Sequence, residues 1–293
     1  PRYDDPMLVI RDASWPRMLV VVVWMLAVST IGWADGLDLV VCAPGYPGST
    51  GEAQPAMDDL AVAVATAAGW DRRDVHAVYF ETEDGGLAKL GDPEVDLSLV
   101  TLPFFLEHRS EQDLRPAMLA VPAGREPLES WVLVAGAGTV SEAEDLDGWQ
   151  IVSLAGHSEG FVRGPALGAW GKLPDTVTIA FSSAVLSSLR KAARGDRIAV
   201  LLDASQAEAL DRLPFADDLE VIHRSPPLPV SVLCTVGDRV TAERLNEVTA
   251  AFLELGSRPD AAEALAGVRL DRFEVIDPAA MEGAEAAFSG AGE

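Results

Sequence analysis

The chain has 293 residues, of which 49% are hydrophobic and 23% are charged, a composition that excludes a largely disordered protein and can supply a sizeable core. Acidic residues outnumber basic ones by 46 to 22, which gives a formal net charge of -24 at pH 7. The sequence contains no cluster of Lys and Arg that could follow a phosphate backbone, so we expect no nucleic-acid partner.

Residues 1–34 are typical of an export signal. Arg17 precedes an apolar run from Met18 to Val28, and small residues follow at Gly32 and Ala34, where a signal peptidase requires them. We therefore expect cleavage after Ala34 and a periplasmic location. The apolar run is short for a bilayer span, and an uncleaved N-terminal anchor is the alternative.

The next part of the chain alternates apolar strands with helices. The predicted elements are strands at 37–42, 75–80 and 94–106 and helices at 54–68 and 87–90. The third strand is expected to leave into an aromatic loop within its range. Because open α/β sheets bind ligands beyond the carboxyl ends of their strands, residues that follow a strand are candidates for ligand contact. These candidates are Tyr46, Ser49 and Thr50 after the first strand and Thr101 and Phe104 at the end of the third. A turn aromatic that covers the sheet edge is the structural alternative for Tyr46.

Two predicted strands at 114–121 and 130–135 enclose a Pro/Gly-rich turn where the chain is expected to leave the first lobe. A second series follows, with strands at 149–154, 176–180, 197–202 and 219–223 and helices at 141–146, 160–170, 183–194 and 205–212, and it predicts a second parallel sheet. Prolines at 226, 227 and 229 mark a second crossing. Strand 230–236, helices 241–255 and 260–266 and an apolar segment at 273–276 then follow, and the tail beyond Asp277 is expected to be loosely held.

The most informative stretch is the turn Gly156-His157-Ser158-Glu159-Gly160, which lies between strand Ile151–Leu154 and a predicted helix. Unpaired amides at a helix N-terminus favour an oxygen-rich or anionic ligand, so the amides from Ser158 to Gly160 form a candidate oxyanion site. The same letters fit the nucleophile elbow of serine hydrolases. Ser158, Asp203 and His223 occur in the order of a hydrolase triad. A turn with a purely structural role is the third interpretation.

The two cysteines, Cys42 and Cys234, lie in apolar strand-like runs. We expect buried free thiols, with a disulfide as the alternative that an exported protein would permit. Neither the cysteines nor the four histidines have the spacing of metal ligands. No metal and no cofactor are therefore predicted.

Four segments carry a resemblance to a known family. They are Glu94-Val95-Asp96-Leu97, Asp145-Leu146-Asp147-Gly148, SSLRKAARGDRIAVLLD at 187–203 and the Pro-rich crossing with its strand at 224–233. With the order of two α/β lobes and two crossings, the chain resembles the type 2 periplasmic substrate-binding proteins of ABC importers, and especially the phosphate- and phosphonate-binding branch. The likeness spans residues 37–277, whereas the five-residue elbow is a weak signal by itself.

The resemblance implies an α/β fold of two lobes, each a sheet flanked by helices, joined by a two-segment hinge. Residues 35–126 and 227–293 would form lobe 1, and residues 127–226 would form lobe 2. It also implies that His157 and Ser158 hold the oxyanion of the ligand and that Tyr46 lines the opposite lobe. Asp203 would face the cleft at an amine or hydroxyl of the ligand.

The sequence departs from the family pattern at one place. Family members often have a Ser-His pair at the start of the helix before Gly195, and the matching positions here are Ala184 and Val185. This departure argues against a phosphonate ligand. Ser182 and Ser183 could still offer hydroxyl groups nearby.

We therefore expect an exported, monomeric solute-binding protein that is not an enzyme. It would capture a small anionic or polar ligand, such as a phosphonate, a phosphate or a similar oxyanion, between lobes that close on it. It would deliver that ligand to the permease of an ABC importer or to a membrane receptor. The alternatives are a serine hydrolase that uses the elbow and a ligand-sensing domain of the same two-lobed fold.

Overall fold

The computed structural model describes residues 36–291, so the predicted export signal at residues 1–34 lies outside the described residues. The strands are β1 (Leu37–Cys42), β2 (Val75–Phe80), β3 (Val95–Thr101), β4 (Leu114–Pro122), β5 (Leu128–Glu129), β6 (Val132–Gly136), β7 (Gln150–Ser153), β8 (Thr178–Phe181), β9 (Ile198–Leu202), β10 (Leu219–Arg224), β11 (Leu228–Pro229), β12 (Ser231–Val236) and β13 (Leu270–Val275). The helices are α1 (Thr50–Ala68), α2 (Glu83–Leu90), α3 (Leu102–His108), α4 (Glu159–Phe161), α5 (Val185–Ala193), α6 (Ala204–Ala207), α7 (Ala242–Leu255), α8 (Ala262–Gly267) and α9 (Pro278–Gly290).

The first lobe is built on a six-stranded sheet in the order β13-β4-β12-β3-β1-β2. Strands β1, β2 and β3 run parallel, and β12 pairs antiparallel with both β3 and β4. Helices α7 and α8 both contact α1, and the three helices share a hydrophobic cluster with the strands of this sheet. The near-continuous apolar sequence of β1 follows from this coverage, because both faces of the strand are packed.

The second lobe is built on a five-stranded sheet in the order β10-β6-β9-β7-β8. The predicted parallel sheet is only partly observed: β7 is parallel to β8 and β9, while β6 is antiparallel to both β9 and β10. The antiparallel strands are those that enter and leave the lobe. Between the lobes, β5 and β11 pair antiparallel through Leu128 with Pro229 and Glu129 with Leu228, which places the two chain crossings side by side.

Two elements near the predicted ligand loops differ from expectation. Helix α1 begins at Thr50 and not at residue 54, because Ser49 and Glu52 form a reciprocal capping box. The residues after β3 form helix α3 and not an aromatic loop, with Pro103 in the first turn, where its missing N–H costs nothing. That helix buries Phe104 completely. The predicted helices at 141–146 and 205–212 are a 3₁₀ turn at 143–146 and α6 followed by a 3₁₀ turn at 210–212.

The helix predicted at 160–170 is also much shorter than expected. A 3₁₀ turn at 154–157 precedes α4, and a single π-helical turn at 162–166 follows it. Pro165 lies inside that turn, and a proline in a helix interior cannot donate the backbone hydrogen bond that would continue a regular helix. Only three residues at this place are therefore α-helical.

The tail beyond Asp277 is an ordered helix, so the expectation of a loosely held tail is wrong. Asp277 caps α9 by accepting a hydrogen bond from the Ala279 amide at 3.1 Å. The helix packs on the segment after α4 in the other lobe, so closely that a Cβ added to Gly164 would lie 2.2 Å from the Ala287 carbonyl oxygen. A composition rich in Ala and Gly is typical of a flexible tail. Here, small residues allow the close contact between α9 and the second lobe.

Both cysteines are buried and unpaired, as expected for free thiols in strand interiors. Burial raises the pKa of Cys42 to about 12, which leaves the thiol protonated and unreactive at neutral pH. Between residues 36 and 291, no helix combines the length and the apolar character needed to cross a lipid bilayer.

Candidate functional site

A cavity of about 1010 Å³ lies between the two lobes. Nearly all of its lining comes from the carboxyl ends of the parallel strands of both sheets, which is where open α/β sheets bind their ligands. The lining residues are 44–49 after β1, Glu81, Thr82 and Glu83 after β2, Leu154 and His157 after β7, Phe181 and Ser183 at β8, Asp203, Ser205 and Gln206 after β9, and Arg269 from the turn before β13.

Tyr46 and Asp203 connect the lobes across this cavity. The Tyr46 hydroxyl, from lobe 1, donates to Asp203 Oδ2 in lobe 2 at 3.1 Å. Asp203 is 2% exposed and also caps α6 by accepting from the Gln206 amide at 2.7 Å. Burial raises the pKa of the Asp203 carboxyl, and burial next to that carboxylate raises the pKa of Tyr46 well above its usual value. The phenol therefore remains a hydrogen-bond donor.

Glu129 in β5 adds a second, half-buried carboxyl behind Asp203. It accepts a hydrogen bond from the Ala204 amide at 3.1 Å. Burial, with a smaller contribution from the charge of Asp203, raises its pKa to about 7. Glu129 was not among the predicted site residues, because only the pairing of the two crossings brings β5 next to the start of α6.

His157 lines the cavity from the second lobe. Its Nδ1 lies 3.0 Å from the Leu154 carbonyl oxygen, an acceptor, so Nδ1 carries the proton. Burial lowers the pKa of the ring, which keeps it neutral and leaves Nε2 as an acceptor. Among residues 36–291, no group forms a hydrogen bond with this buried Nε2 atom.

Ser158 does not line the cavity. It is 0% exposed, and its hydroxyl donates to Glu107 Oε2 in lobe 1 at 2.7 Å while it accepts from the Phe161 amide at 3.3 Å. Both hydrogen-bonding roles of the hydroxyl are thus used within the protein. Glu159 is exposed and binds Arg163 at 2.7 Å.

Gly160, the last residue of the predicted oxyanion site, is also outside the cavity lining. A Cβ at this position would lie 2.7 Å from the Phe288 ring of α9. Of the turn that the sequence analysis assigned to the ligand, the structure brings only His157 to the cavity.

The other candidates divide into two groups. The structure brings Tyr46, Ser49, Ser183 and Asp203 to the cavity together with His157. It does not bring Thr50, Thr101, Phe104 or Ser182 there. Three of these four have structural roles: Thr50 donates to Glu81 at 3.2 Å, Phe104 is fully buried in α3, and the Ser182 hydroxyl accepts from the Ala184 amide at 3.1 Å. The position of a loop after a strand predicts that the loop lies at the cavity. Local capping and helix formation decide which of its side chains line the cavity.

The three residues of the hydrolase alternative do not form a triad. Ser158 binds Glu107, Asp203 binds Tyr46, and the His223 ring stacks on Trp170 with a centroid separation of 5.6 Å. In the described part of the chain, no hydrogen bond joins any two of the three. Ser158 has φ -116° and ψ 90°, an extended conformation and not the strained one of a nucleophile elbow.

Several cavity residues were not predicted from the sequence. Glu81 and Glu83 follow β2, so the strand-exit rule that selected Tyr46 would also have found them. Glu83 accepts from His108 Nε2 at 2.7 Å. Arg269 has a left-handed backbone with φ 59° in a turn before an antiparallel strand, and no sequence signal marked it.

The described residues contain no group of three or more His, Cys, Asp or Glu side chains placed to hold a metal ion. The side chains that line the cavity carry carboxylates, hydroxyls, aromatic rings and one guanidinium group.

Several solved structures share this architecture. A protein of Xanthomonas citri bound to chloride matches with a TM-score of 0.68 at 15% identity, over 88% of this chain and 98% of the other. A binding-protein component of an ABC phosphonate transporter from Pseudomonas aeruginosa matches with a TM-score of 0.60 at 15% identity, over 88% of each chain. PhnD1 of Prochlorococcus marinus in complex with methylphosphonate matches with a TM-score of 0.60 at 12% identity, over 88% of this chain and 98% of the other.

These structures confirm the predicted two-lobed α/β fold of periplasmic binding proteins. No curated protein matches the chain by sequence. The model of one family does match, over residues 49–281, and its description is the phosphonate periplasmic substrate-binding protein of ABC transporters. Because that match covers most of the sequence and the cavity lies where the two sheets meet, the chain belongs to this family of ABC-transporter substrate-binding proteins.

Proposed function

We propose that this protein captures one small polar solute in the cavity between its lobes and presents it to the permease of an ABC importer. The family consists of substrate-binding transport proteins and not of enzymes. The observation that carries the proposal for this chain is the interlobe cavity of about 1010 Å³, which is lined by strand ends from both sheets. A solute there would contact both lobes at once and so favour the closed arrangement.

We assign residues 35–126 and 227–293 to lobe 1 and residues 127–226 to lobe 2, with the paired strands β5 and β11 as the hinge. The strand composition of the two sheets supports this division. Helix α9 is counted with lobe 1, yet it packs on the second lobe beside Gly164, so closure must keep or remake that contact. Hinges of two short crossing segments permit rotation with few contacts to break.

The binding residues that we propose are Tyr46, Ser49, His157, Ser183 and Asp203, which line the cavity. Tyr46 and Asp203 already bond to each other across the cleft. A solute that bridges the lobes would add its own contacts to this pair.

A retention experiment tests the proposal. The purified protein is incubated with a mixed metabolite extract and separated from free solute by gel filtration. The bound compound is then released by denaturation and identified by mass spectrometry. We expect about one small polar compound per chain. Ser183→Trp would fill the cavity from lobe 2 and abolish retention, whereas the exposed Ser257→Trp is the matched control. Retention that persists in Ser183→Trp, or a protein that retains nothing, would contradict the proposed function.

We further propose that the protein acts as a monomer in the periplasm, exported by residues 1–34 and partnered by an ABC permease. Membership in a periplasmic family supports the location. Fusing residues 1–34 to a reporter enzyme that is active only outside the cytoplasm tests the export signal. Light scattering of the purified protein tests the monomer, and a molar mass near twice that of one chain would refute it.

A further inference from the structure

Helix α9 follows strand β13 of lobe 1, yet its close contacts are with lobe 2. It packs on α4, on the π-helical turn at 162–166 and on strand β11. A Cβ added to Gly160 would lie 2.7 Å from the Phe288 ring, and one added to Gly164 would lie 2.2 Å from the Ala287 carbonyl oxygen. Glycine at both positions therefore lets α9 approach the backbone of lobe 2 directly.

The contact of α9 buries apolar side chains. Met281 and Ala284 are 4% and 1% exposed, and Phe288 packs against the same hydrophobic cluster, which contains Phe161 and Val162 of lobe 2. The cluster continues into lobe 1 through α3. Separating α9 from lobe 2 would return this apolar surface to water, and that transfer is unfavourable. The packing therefore resists undocking of the helix.

The connection of α9 to the sheet of lobe 1 is short. The chain leaves Val275, the last residue of β13, which is 70% exposed, and reaches α9 through Ile276 and Asp277. Glu285 of α9 also pairs with Arg109 at the end of α3, at 2.5 Å, but both side chains are 28% exposed. Water competes for such an ion pair, so it holds the helix only weakly.

Asp277 belongs mechanically to the helix. Its side chain caps α9 through the Ala279 amide. It also precedes Pro278, which excludes the helical backbone region for the residue before it, and its φ of -77° and ψ of 110° are extended. A rotation of α9 relative to β13 would therefore be taken up at Ile276. This point lies outside the two crossings that contain β5 and β11.

The lobe contact at the cavity is separate from the contact of α9. Among residues 36–291, the cavity lining includes no residue of α3, α4 or α9. At the cavity the lobes are joined by the Tyr46–Asp203 hydrogen bond and by the approach of Gly45 to Phe181, which is 46% exposed. The cavity can therefore open while α9 keeps its apolar contact.

We propose that α9 stays docked on lobe 2 while the cavity opens and closes, so that residues 278–290 turn with lobe 2 and Ile276 is a third hinge point. The inference refines the assignment of residues 227–293, which follows chain order. It goes beyond the proposed function, because it concerns which parts move together whatever the cavity holds. It also gives Gly160 of the turn at 156–160 a role, which is to leave room for Phe288.

The test measures opening and docking separately, without any solute. Opening is measured as the distance between spin labels on Arg72→Cys in lobe 1 and Lys191→Cys in lobe 2, both exposed positions. Docking of α9 is measured as amide hydrogen exchange at 159–168 and 278–290 by mass spectrometry.

Two variants are used to open the cavity. Tyr46→Phe removes the interlobe hydrogen bond, and Gly45→Trp places a large ring against Phe181. The label distance should lengthen by more than about 2 Å, as in a hinge motion, while exchange at 159–168 and 278–290 stays as slow as in the parent protein. Faster exchange at 159–168 in an opened variant would show that α9 leaves lobe 2, and it would overturn the inference. A label distance that changes in neither variant would overturn it too, because the lobes would not turn.

A third variant tests the contact itself. Phe288→Ala should speed exchange in both segments by roughly tenfold or more, because the ring that packs at Gly160 is lost. Leu253→Ala, at a 39% exposed position of α7, is the matched control and should leave both segments unchanged. Parent-like exchange in Phe288→Ala would refute docking through this ring. The retention experiment reports on solute binding independently, so failure of the proposed function would be seen there and not here.

Discussion

Removing one hydroxyl group should loosen the closed arrangement of the lobes. In Tyr46→Phe the ring stays in place, and only the 3.1 Å hydrogen bond from lobe 1 to the Asp203 carboxylate is lost. A hydrogen bond to a charged group contributes about 1.5–3 kcal/mol, so the ratio of closed to open molecules should fall roughly 10- to 150-fold. The carboxylate regains water when the lobes separate, which is why the loss acts on the closed state.

The assay measures the distance between labels in the two lobes. Arg72→Cys and Lys191→Cys place exposed thiols on the first and second lobe, and the native thiols of Cys42 and Cys234 are buried, so labelling is specific. Pulsed spin-label measurements without solute should give a broader and longer distance distribution in Tyr46→Phe than in the parent protein.

Tyr79→Phe is the matched control for this experiment. The Tyr79 hydroxyl is also largely buried, but it donates to the Tyr46 carbonyl oxygen at 3.2 Å within lobe 1. Its loss should leave the distances unchanged. The reasoning is refuted if Tyr46→Phe keeps the parent distribution, or if Tyr79→Phe opens the lobes to the same extent.

Three further predictions concern glycine contacts and a buried acid. In Gly45→Ala the new Cβ would lie 2.9 Å from the Phe181 ring across the cleft, at a residue with φ 78°. The lobes should therefore separate, so the radius of gyration in X-ray scattering should increase and solute retention should fall. An unchanged radius of gyration would contradict this. Gly164→Ala places a Cβ 2.2 Å from the Ala287 carbonyl oxygen, and urea unfolding should show a loss of about 1–3 kcal/mol, whereas parent-like stability would mean that α9 does not need this close contact. In the folded protein the pKa of Glu129 is raised from 4.5 to about 7, so the folded state holds this proton more tightly than the unfolded state. The contribution of Glu129 to stability therefore decreases as the pH rises from about 4.5 to 7. Relative to the parent protein, Glu129→Gln should therefore gain stability over that range, by about 3 kcal/mol at pH 7.5 in thermal or urea unfolding, and parallel pH profiles of the two proteins would count against a buried charge.

Much of the lobe architecture could be predicted because it depends on local patterns. Apolar runs such as Leu37–Cys42 and Val75–Phe80 have the length and composition of buried strands, and both are observed with these bounds. The alternation of strands with helices and the two proline-marked crossings gave the two-lobed fold, which the solved structures confirm. Periodicity over many residues averages out local exceptions, so element order is reliable where single boundaries are not.

The candidate site was predictable only at the level of loops. Tyr46 and Asp203 follow strands, and their loops do line the cavity, yet Phe104 also follows a strand and is buried. The difference is α3, whose formation turns Phe104 into the core. Whether a residue after a strand continues as loop or as helix depends on caps and packing partners that periodicity does not encode.

By itself, the sequence determined the fold class, the order of the lobes, the burial of both cysteines and several of the loops that line the cavity, because burial patterns and breakers act over short distances along the chain. Tertiary structure alone decided that Ser158 bonds to Glu107, that Glu129 lies behind Asp203, and that α9 packs on the second lobe. Each of these pairs residues that are far apart in sequence, and their energies depend on separation and burial that exist only in the folded chain.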